Sequence, residues 1–173
     1  MIIWITGLSG SGKTTLSKNL IKDLKLILKK KKLIHLDGDQ FREIFKDLGH
    51  SLKDRLINAE RISKLVNFLN KNLDIIIVVS ILSVSQKWLN WNKKNNKNYF
   101  QIFLNVPIKI LKKRNIRNVY SNKKNVVGID IKYKKPLNNY FIFHNNFKKK
   151  FLIYAKQKIL LDKKIKKILK RYA

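Results

Sequence analysis

The sequence predicts an α/β fold in which a five-stranded parallel sheet lies between two layers of helices. Three observations favour this architecture. Short apolar runs alternate with longer segments whose apolar residues recur at helical spacing. A glycine-rich turn, GLSGSGKT, joins the first apolar run to the first helical segment. The second run ends in Asp37-Gly38-Asp39, and the carboxyl ends of parallel strands are where such sheets bind ligands.

Each predicted strand is a short apolar run, as expected of strands that are covered on both faces. The helices are assigned from apolar stripes of helical period, from Ser51 as an N-cap, and from Pro107, which suits a first helical turn. Residues 114–136 show no sustained period, and we interpret them as a mobile lid over the site. The predicted strands are 2–6, 33–37, a run within 74–82, 100–106 and 140–144, and the predicted helices are 13–30, one from Gln40, 51–70, 85–98, one after Pro107, and 147–172.

Length and composition narrow the class of protein. At 173 residues the chain suits one compact domain, which we expect to span residues 1–173. The absence of cysteine excludes a disulfide framework, a thiolate zinc site and a thiol nucleophile. No leader pattern is apparent, and the longest apolar run, 75–79, is far shorter than the roughly 20 residues that span a bilayer. We therefore expect a cytoplasmic protein with no membrane partner, although a basic amphipathic helix at 147–172 leaves a membrane surface as the alternative.

The formal net charge of +30 is carried by 34 lysines and only 6 arginines. Dense positive charge is typical of proteins that bind nucleic acid. The excess of Lys, Ile and Asn also indicates a bias toward A/T-rich codons, which would scatter lysines over solvated faces. Because the lysines are dispersed, we favour the compositional explanation over a nucleic-acid partner. In either case the positive field should attract anionic substrates.

The turn GLSGSGKT matches the pattern G-x-x-x-x-G-K-[ST] in the strand-to-helix context that makes it a phosphate site. Its glycines allow backbone N–H groups to turn toward the β- and γ-phosphates of ATP, and the following helix adds the positive end of its dipole. Lys13 can reach the same phosphate oxygens, and the Thr14 hydroxyl is placed to bind Mg²⁺. ATP and Mg²⁺ are therefore the expected cofactors. The predicted ATP-binding residues are Gly7, Leu8, Ser9, Gly10, Ser11, Gly12, Lys13, Thr14 and Thr15.

The chain resembles adenylylsulfate kinases, small P-loop kinases that phosphorylate the ribose 3′-hydroxyl of adenosine 5′-phosphosulfate. The resemblance covers most of residues 1–137 and rests on the order and spacing of short motifs. It implies the three-layer P-loop NTPase fold of nucleoside-kinase type, with a homodimer as the candidate assembly. The motifs are Gly7-Leu8-Ser9-Gly10 with Gly12-Lys13-Thr14-Thr15, Leu36-Asp37-Gly38-Asp39 with Arg42, Asp47-Leu48-Gly49, Asp54-Arg55 with Asn58, Arg61-Ile62, Ser80, Ser83, Val106-Pro107, Arg114 with Arg117 and Tyr120, and Gly128-Ile129-Asp130 before Pro136.

The resemblance also implies the roles of individual residues. Asp37 would help to hold Mg²⁺, and Asp37 or Asp39 would take the proton from the acceptor hydroxyl, as phosphoryl transfer requires little other covalent chemistry. Arginine has a rigid fork that suits a phosphate or sulfate group better than lysine does. For Arg42 and Arg55 the alternative role is a surface ion pair, and for Arg61 the surface ion pair is the favoured interpretation. The implied catalytic residues are Lys13, Asp37 and Asp39, the metal ligands are Thr14 and Asp37, and the residues that bind a small anionic nucleotide are Asp39, Arg42, Arg55, Asn58, Ser83, Arg117 and Tyr120.

The acceptor side of the sequence departs from the family pattern more than the ATP side. His50 stands where the family has an aromatic residue, and Val126-Val127-Gly128 stands where it has Phe-Thr-Gly. The two family aromatics clamp the adenine of the acceptor, so their absence removes stacking worth about 1–3 kcal/mol each. The segment between Tyr120 and Val126 is also shorter, by about five residues. Asn115 and Val84 replace an expected acid and an expected proline.

Several functions are consistent with these departures. A Val-Val-Gly lid resembles enzymes that phosphorylate cytidine diphosphoramidate, which makes that compound the alternative acceptor. His50 could act as an acid or base, as a stacking residue, or as a plain loop residue. A polynucleotide-directed P-loop protein and a non-catalytic scaffold are the other classes of function that remain open.

Trp88 and Trp91 are interpreted as half-buried packing residues, and His35 and His144 are interpreted as structural residues.

Overall fold

The computed structural model describes residues 1–28, 33–45, 47–121 and 124–172. The end of the first predicted helix, the lysine run 29–32, lies outside the described residues, as do residues 122 and 123 of the predicted lid. Five strands form one sheet in the order β2-β3-β1-β4-β5, and all four pairings are parallel. The strands are β1 Ile2–Gly7, β2 Leu33–Asp37, β3 Ile76–Ile81, β4 Tyr99–Asn105 and β5 Phe141–His144.

Helices cover both faces of this sheet, which confirms the predicted three-layer architecture. The alternation of side chains along β1 sends Ile3 and Ile5 into one core and Ile2 and Trp4 into the other. Because both faces are covered, the strand sequences are predominantly apolar, with few polar residues such as His35 and Gln101. The helices are α1 Lys13–Ile27, α2 Gly38–Ile44, α3 Leu52–Asn72, α4 Gln86–Asn95, α5 Ile108–Arg114, α6 Lys149–Leu160 and α7 Lys163–Leu169, with a 3₁₀ turn at Ile116–Asn118.

The C-terminal segment corrects one prediction. A single helix was predicted over 147–172, but α6 ends at Leu160 and α7 begins at Lys163. The break has a local cause, because the Asp162 side chain accepts hydrogen bonds from the backbone N–H groups of Lys164 and Ile165 and so caps a new helix. The predicted apolar side is nevertheless buried against the sheet, which agrees with packing on the core. Its residues are Phe151, Ala155, Ile159, Ile165, Ile168 and Leu169.

Helix α3 begins at the predicted N-cap. The Ser51 hydroxyl accepts from the backbone N–H of Asp54, and the Asp54 carboxylate accepts from the backbone N–H of Ser51. Ile62 and Val66 of the predicted stripe are buried, whereas Leu56 is 39% exposed and lies off the buried face. The capping box fixes where α3 starts and therefore which of its residues face the sheet.

The predicted lid contains no α-helix after Arg114 among the residues described. It holds the 3₁₀ turn and a tight loop in which Val127 bridges Ile131. Val126 and Val127 are both buried, and Val127 packs in a small cluster with Leu8 of the glycine-rich turn. The segment therefore lies directly against that turn.

Two further expectations concern aromatic residues and membranes. Trp88 and Trp91 on α4 are half-buried and form an edge-to-face pair with ring centroids 5.4 Å apart, which agrees with a packing role. Across the part of the chain that the structure describes, every helix is too short or too polar to cross a bilayer.

Candidate active site

The candidate active site begins at the turn between β1 and α1. The backbone is left-handed at Gly10, with φ of 72°, and at Gly12, with φ of 96°, a conformation that glycine adopts readily. At Gly7 an added Cβ atom would lie 2.7 Å from the carbonyl oxygen of Leu104 on β4. The glycines are therefore required both by the curl of the turn and by its close packing on the sheet, as a phosphate-binding loop requires.

Lys13 lies at the base of this turn. Its Nζ donates to the carbonyl oxygen of Leu8 over 2.9 Å. Burial lowers the pKa of Lys13 to about 8, while the charges of Asp39 and Asp37 act to raise it and that of Arg55 acts to lower it. The ammonium is thus within electrostatic reach of two carboxylates and a guanidinium. The turn, the end of β2 and the start of α3 meet around this lysine.

Asp37 is the centre of the hydrogen-bond network at the end of β2. Its Oδ2 accepts from the Thr14 hydroxyl at 2.9 Å and from the Ser80 hydroxyl at 2.7 Å, and its Oδ1 accepts from the backbone N–H of Asp39 at 3.0 Å. Burial alone would raise the pKa of Asp37, but these hydrogen bonds, with a smaller contribution from His35, lower it below the usual value. The carboxylate is therefore ionised at neutral pH.

Thr14 and Asp37 together form a donor set that fits Mg²⁺. Both present oxygen atoms, which Mg²⁺ prefers as ligands, and one of the two groups carries a full negative charge. The 2.9 Å contact shows that the two oxygens face the same small space beside the glycine-rich turn. The fit supports the predicted pair of metal ligands.

Two residues predicted to hold the acceptor have buried polar atoms without hydrogen-bond partners among the described residues. They are Arg42, at Nε, and Asn58, at Oδ1. The Arg42 side chain is only 13% exposed, and its Nη1 lies 3.7 Å from the Asp39 carboxylate. Buried polar groups are normally paired, so these atoms are suited to a polar ligand.

Arg55 links the start of α3 to the predicted lid. Its Nε donates to the His50 carbonyl oxygen at 3.0 Å, and its Nη2 donates to the Asn125 carbonyl oxygen at 3.2 Å. Burial lowers its pKa, and the neighbouring charge of Arg42 lowers it further. The structure therefore brings Arg42, Arg55 and Asp39, three of the residues predicted to bind the acceptor, close to one another and to Lys13.

Other predicted residues are placed differently. The Ser83 hydroxyl accepts from Trp4 Nε1 at 3.3 Å, and its backbone N–H donates to Thr6, so Ser83 braces the sheet. The Tyr120 hydroxyl donates to the Ser9 carbonyl oxygen at 2.7 Å and thus contacts the phosphate loop. The side chain of Arg117 lies outside the described part of the structure. Arg61 forms a bidentate ion pair with Asp47, in agreement with the surface ion pair that was favoured for it from the sequence.

Three residues of the site network were not assigned a site role from the sequence. Ser80 ties Asp37 to His35, whose Nε2 lies 3.1 Å from the Ser80 hydroxyl. Because that hydroxyl directs its one hydrogen to Asp37, His35 Nε2 is the donor. Asn145 follows β5 and donates to the carbonyl oxygen of Ser11. Its position after a strand of the same sheet edge was a signal that could have identified it.

The similarity to known proteins agrees with this geometry. The family model of adenylylsulphate kinase matches residues 1–143. The chain belongs to the adenylylsulphate kinase family. It is 39% identical over 140 residues to a cytidine diphosphoramidate kinase of Campylobacter jejuni, with 78% of this chain and 81% of the relative covered. It is 30% identical over 142 residues to a probable adenylyl-sulfate kinase of Archaeoglobus fulgidus, with 79% and 90% covered.

Solved structures agree on the fold of this adenylylsulphate kinase family member. The Mycobacterium tuberculosis APS kinase CysC, in complex with AMPPNP and APS, superposes with a TM-score of 0.78. The alignment covers 98% of this chain and 96% of that one at 24% identity, which supports the P-loop kinase fold. The relatives are kinases, so the predicted enzyme class is confirmed. They differ in the acceptor that their names give, so family membership alone does not identify the acceptor of this chain.

Proposed function

We propose that this kinase transfers the γ-phosphate of ATP to a hydroxyl of a small anionic nucleotide. The observation that carries the proposal is the contact of Thr14 with Asp37 beside the ammonium of Lys13. A phosphate loop, a cation and an ionised carboxylate are the parts that phosphoryl transfer needs. These parts come from β1, α1 and β2, and the carboxyl ends of the parallel strands β1 and β2 lie at the same edge of the sheet, with β3 between them.

In this mechanism Lys13 and the backbone N–H groups of the loop bind the β- and γ-phosphates. Thr14 and Asp37 would hold Mg²⁺, which supplies positive charge for the phosphate oxygens. Asp37 or Asp39 accepts the proton of the acceptor hydroxyl as the oxygen forms its bond to the γ-phosphorus. The bond from that phosphorus to the β–γ bridging oxygen breaks, and ADP leaves with the electron pair.

The acceptor site is proposed at Arg42, Arg55 and Asn58. Two buried polar atoms, Arg42 Nε and Asn58 Oδ1, have no hydrogen-bond partner within the described part of the chain, and they favour a polar ligand there. The positive charge of the two arginines favours an anionic one, such as the phosphosulfate of adenosine 5′-phosphosulfate. In the family pattern the ribose 3′-hydroxyl of that compound is the attacking group.

A specific observation favours cytidine diphosphoramidate as the second candidate acceptor. The side chains of Val126 and Val127 are buried, and Val127 packs beside Leu8. The lid therefore has the small aliphatic side chain of Val126 where the family pattern has one of the two aromatics that clamp adenine, and His50 stands in place of the other. The relative that is 39% identical is a cytidine diphosphoramidate kinase. A pyrimidine acceptor depends less on that clamp, because it has a smaller stacking surface than adenine.

The experiment is to incubate the purified protein with ATP and Mg²⁺ and, separately, each of the two acceptors. Mass spectrometry of the products then identifies which acceptor gains a phosphate. Turnover of either acceptor supports the proposed reaction, and the ratio of the two kcat/KM values assigns the acceptor. Turnover of neither, together with ATP hydrolysis that nucleic acid stimulates, would instead favour the polynucleotide-directed class.

A further inference from the structure

The side chain of Asn145 occupies a defined position between the phosphate loop and the segment that leads into α6. It is 7% exposed and lies directly after β5. Its Nδ2 donates to the Ser11 carbonyl oxygen at 2.9 Å, and its Oδ1 accepts from the backbone N–H of Phe147 at 2.8 Å. Because both ends of the amide are hydrogen-bonded, the side chain is held in one orientation.

The contact continues to the neighbouring residue of the loop. A Cβ atom added to Gly12 would lie 2.8 Å from Asn145 Nδ2. Asn145 therefore packs against the whole peptide unit between Ser11 and Gly12, which immediately precedes Lys13. No other residue type than glycine fits at position 12 while Asn145 keeps this place.

The planarity of that peptide unit gives the contact a consequence for phosphate binding. In a trans peptide the carbonyl oxygen and the following N–H point in opposite directions. The Ser11 carbonyl oxygen is held by Asn145, so the Gly12 N–H must point away from Asn145, in the opposite direction within the same plane. In a phosphate loop the N–H groups on the inner side are those that bind phosphate.

We propose that Asn145 is a positioning residue of the phosphate site, which aims the Gly12 N–H by holding the Ser11 carbonyl oxygen. The inference rests on the proposed use of this loop to bind ATP. Asn145 acts through the backbone and touches neither the acceptor nor the reacting atoms. Its loss should therefore weaken the binding of the triphosphate and leave acceptor binding unchanged.

The test is the substitution Asn145→Ala, with Asn96→Ala as the matched control. Asn96 is 6% exposed, its Nδ2 donates to the Asn92 carbonyl oxygen at 2.9 Å, and its Oδ1 accepts from Asn67 at 3.2 Å. It lies at the end of α4, so its removal deletes a buried amide of the same kind elsewhere in the fold. The dissociation constants of tripolyphosphate and of ATP are measured by isothermal titration calorimetry. The melting temperature is measured by differential scanning calorimetry.

Asn145→Ala should raise both dissociation constants about fivefold, as expected for one lost hydrogen bond. The KM for ATP should rise by a similar factor, and the KM for the acceptor should not change. Asn96→Ala should lower the melting temperature without a change in either dissociation constant. If Asn145→Ala does not fold, Asn145→Asp is used, since it keeps the acceptor for the Phe147 N–H and removes the donor to Ser11.

Unchanged tripolyphosphate affinity in the folded Asn145 variant would overturn the inference. An equal loss of affinity in Asn96→Ala would do the same, because it would indicate a general effect of destabilisation. If the wild-type chain binds neither ATP nor tripolyphosphate, the proposed function and this inference both fail. If the wild type binds both but phosphorylates no acceptor, the proposed reaction alone fails and the comparison still decides the role of Asn145.

Discussion

The Thr14 hydroxyl donates to Oδ2 of Asp37 across 2.9 Å, which joins the first turn of α1 to the end of β2. The two residues are 23 positions apart in the sequence, and the parallel sheet places them on the same edge. Both offer oxygen ligands, and Asp37 is ionised because its hydrogen bonds lower its pKa. This pair is the part of the site on which the proposed metal-assisted phosphoryl transfer depends.

Raising the pH through about 8 should weaken ATP binding. The pKa of Lys13 in the free protein is lowered to about 8, chiefly by burial, and only the protonated lysine attracts phosphate. The fraction of protein with a charged Lys13 therefore falls as the pH rises, and ATP binding at about pH 8.5 should draw a proton onto the protein. Calorimetry in buffers with different ionisation enthalpies measures that proton uptake. The Lys13→Met variant should show no such proton uptake. A wild-type affinity for ATP that is constant from about pH 7 to about pH 9.5 would contradict the proposed role of the charged Lys13 in ATP binding.

Arg55→Lys should raise the KM for the acceptor about tenfold or more, the range expected for losing hydrogen bonds made by a charged group. Arg55 bonds two carbonyl oxygens through two different nitrogens, and one lysine ammonium cannot reproduce that fork. The KM for ATP should stay unchanged. Arg61→Lys is the control, because Arg61 pairs with exposed Asp47 and lies outside the proposed site. Equal acceptor KM values in the two variants would remove Arg55 from the acceptor site.

Tyr120→Phe should raise the KM for ATP about fivefold, since it leaves the Ser9 carbonyl oxygen without its donor. Burial raises the pKa of Tyr120 to about 12, so its hydroxyl remains a donor throughout an ordinary assay range. Tyr140→Phe is the matched control, because it removes a hydroxyl that donates to Asp162 at 2.9 Å. The role of Tyr120 would be refuted by a KM for ATP that is the same in both variants.

The sequence alone was sufficient to predict those parts of the site that are contiguous in the chain. The glycine-rich turn, Lys13 and Thr14 form one motif whose chemistry is fixed by residue type and spacing. Asp37 could be added because the end of a parallel strand faces the ligand edge. The fold could also be predicted from the sequence, because strands that are covered on both faces are mainly apolar runs between amphipathic helices.

Contacts between distant segments were not predictable in this way. Asn145 and Ser11 are 134 positions apart, and the position of Asn145 after a predicted strand indicates the ligand edge of the sheet but not which residue of the turn it contacts. Tyr120 was assigned to the acceptor, yet its hydroxyl contacts the phosphate loop, because a segment without a period gives no direction to its side chains. The break at Asp162 was missed because the apolar spacing continues across it on the same buried side.

The comparison of Asp37→Asn with Asp162→Asn tests whether the carboxylate of Asp37 is needed for phosphoryl transfer. Both aspartates cap a helix, Asp37 by accepting from Asp39 and Asp162 by accepting from Lys164 and Ile165, so both substitutions remove one capping charge. The rate of γ-phosphate transfer from ATP is measured with both acceptors at saturating Mg²⁺. Asp37→Asn should lower kcat at least about 100-fold, while Asp162→Asn should retain the wild-type rate. A wild-type rate in Asp37→Asn, with an unchanged dependence on Mg²⁺, would show that Asp37 neither binds the metal nor takes the proton.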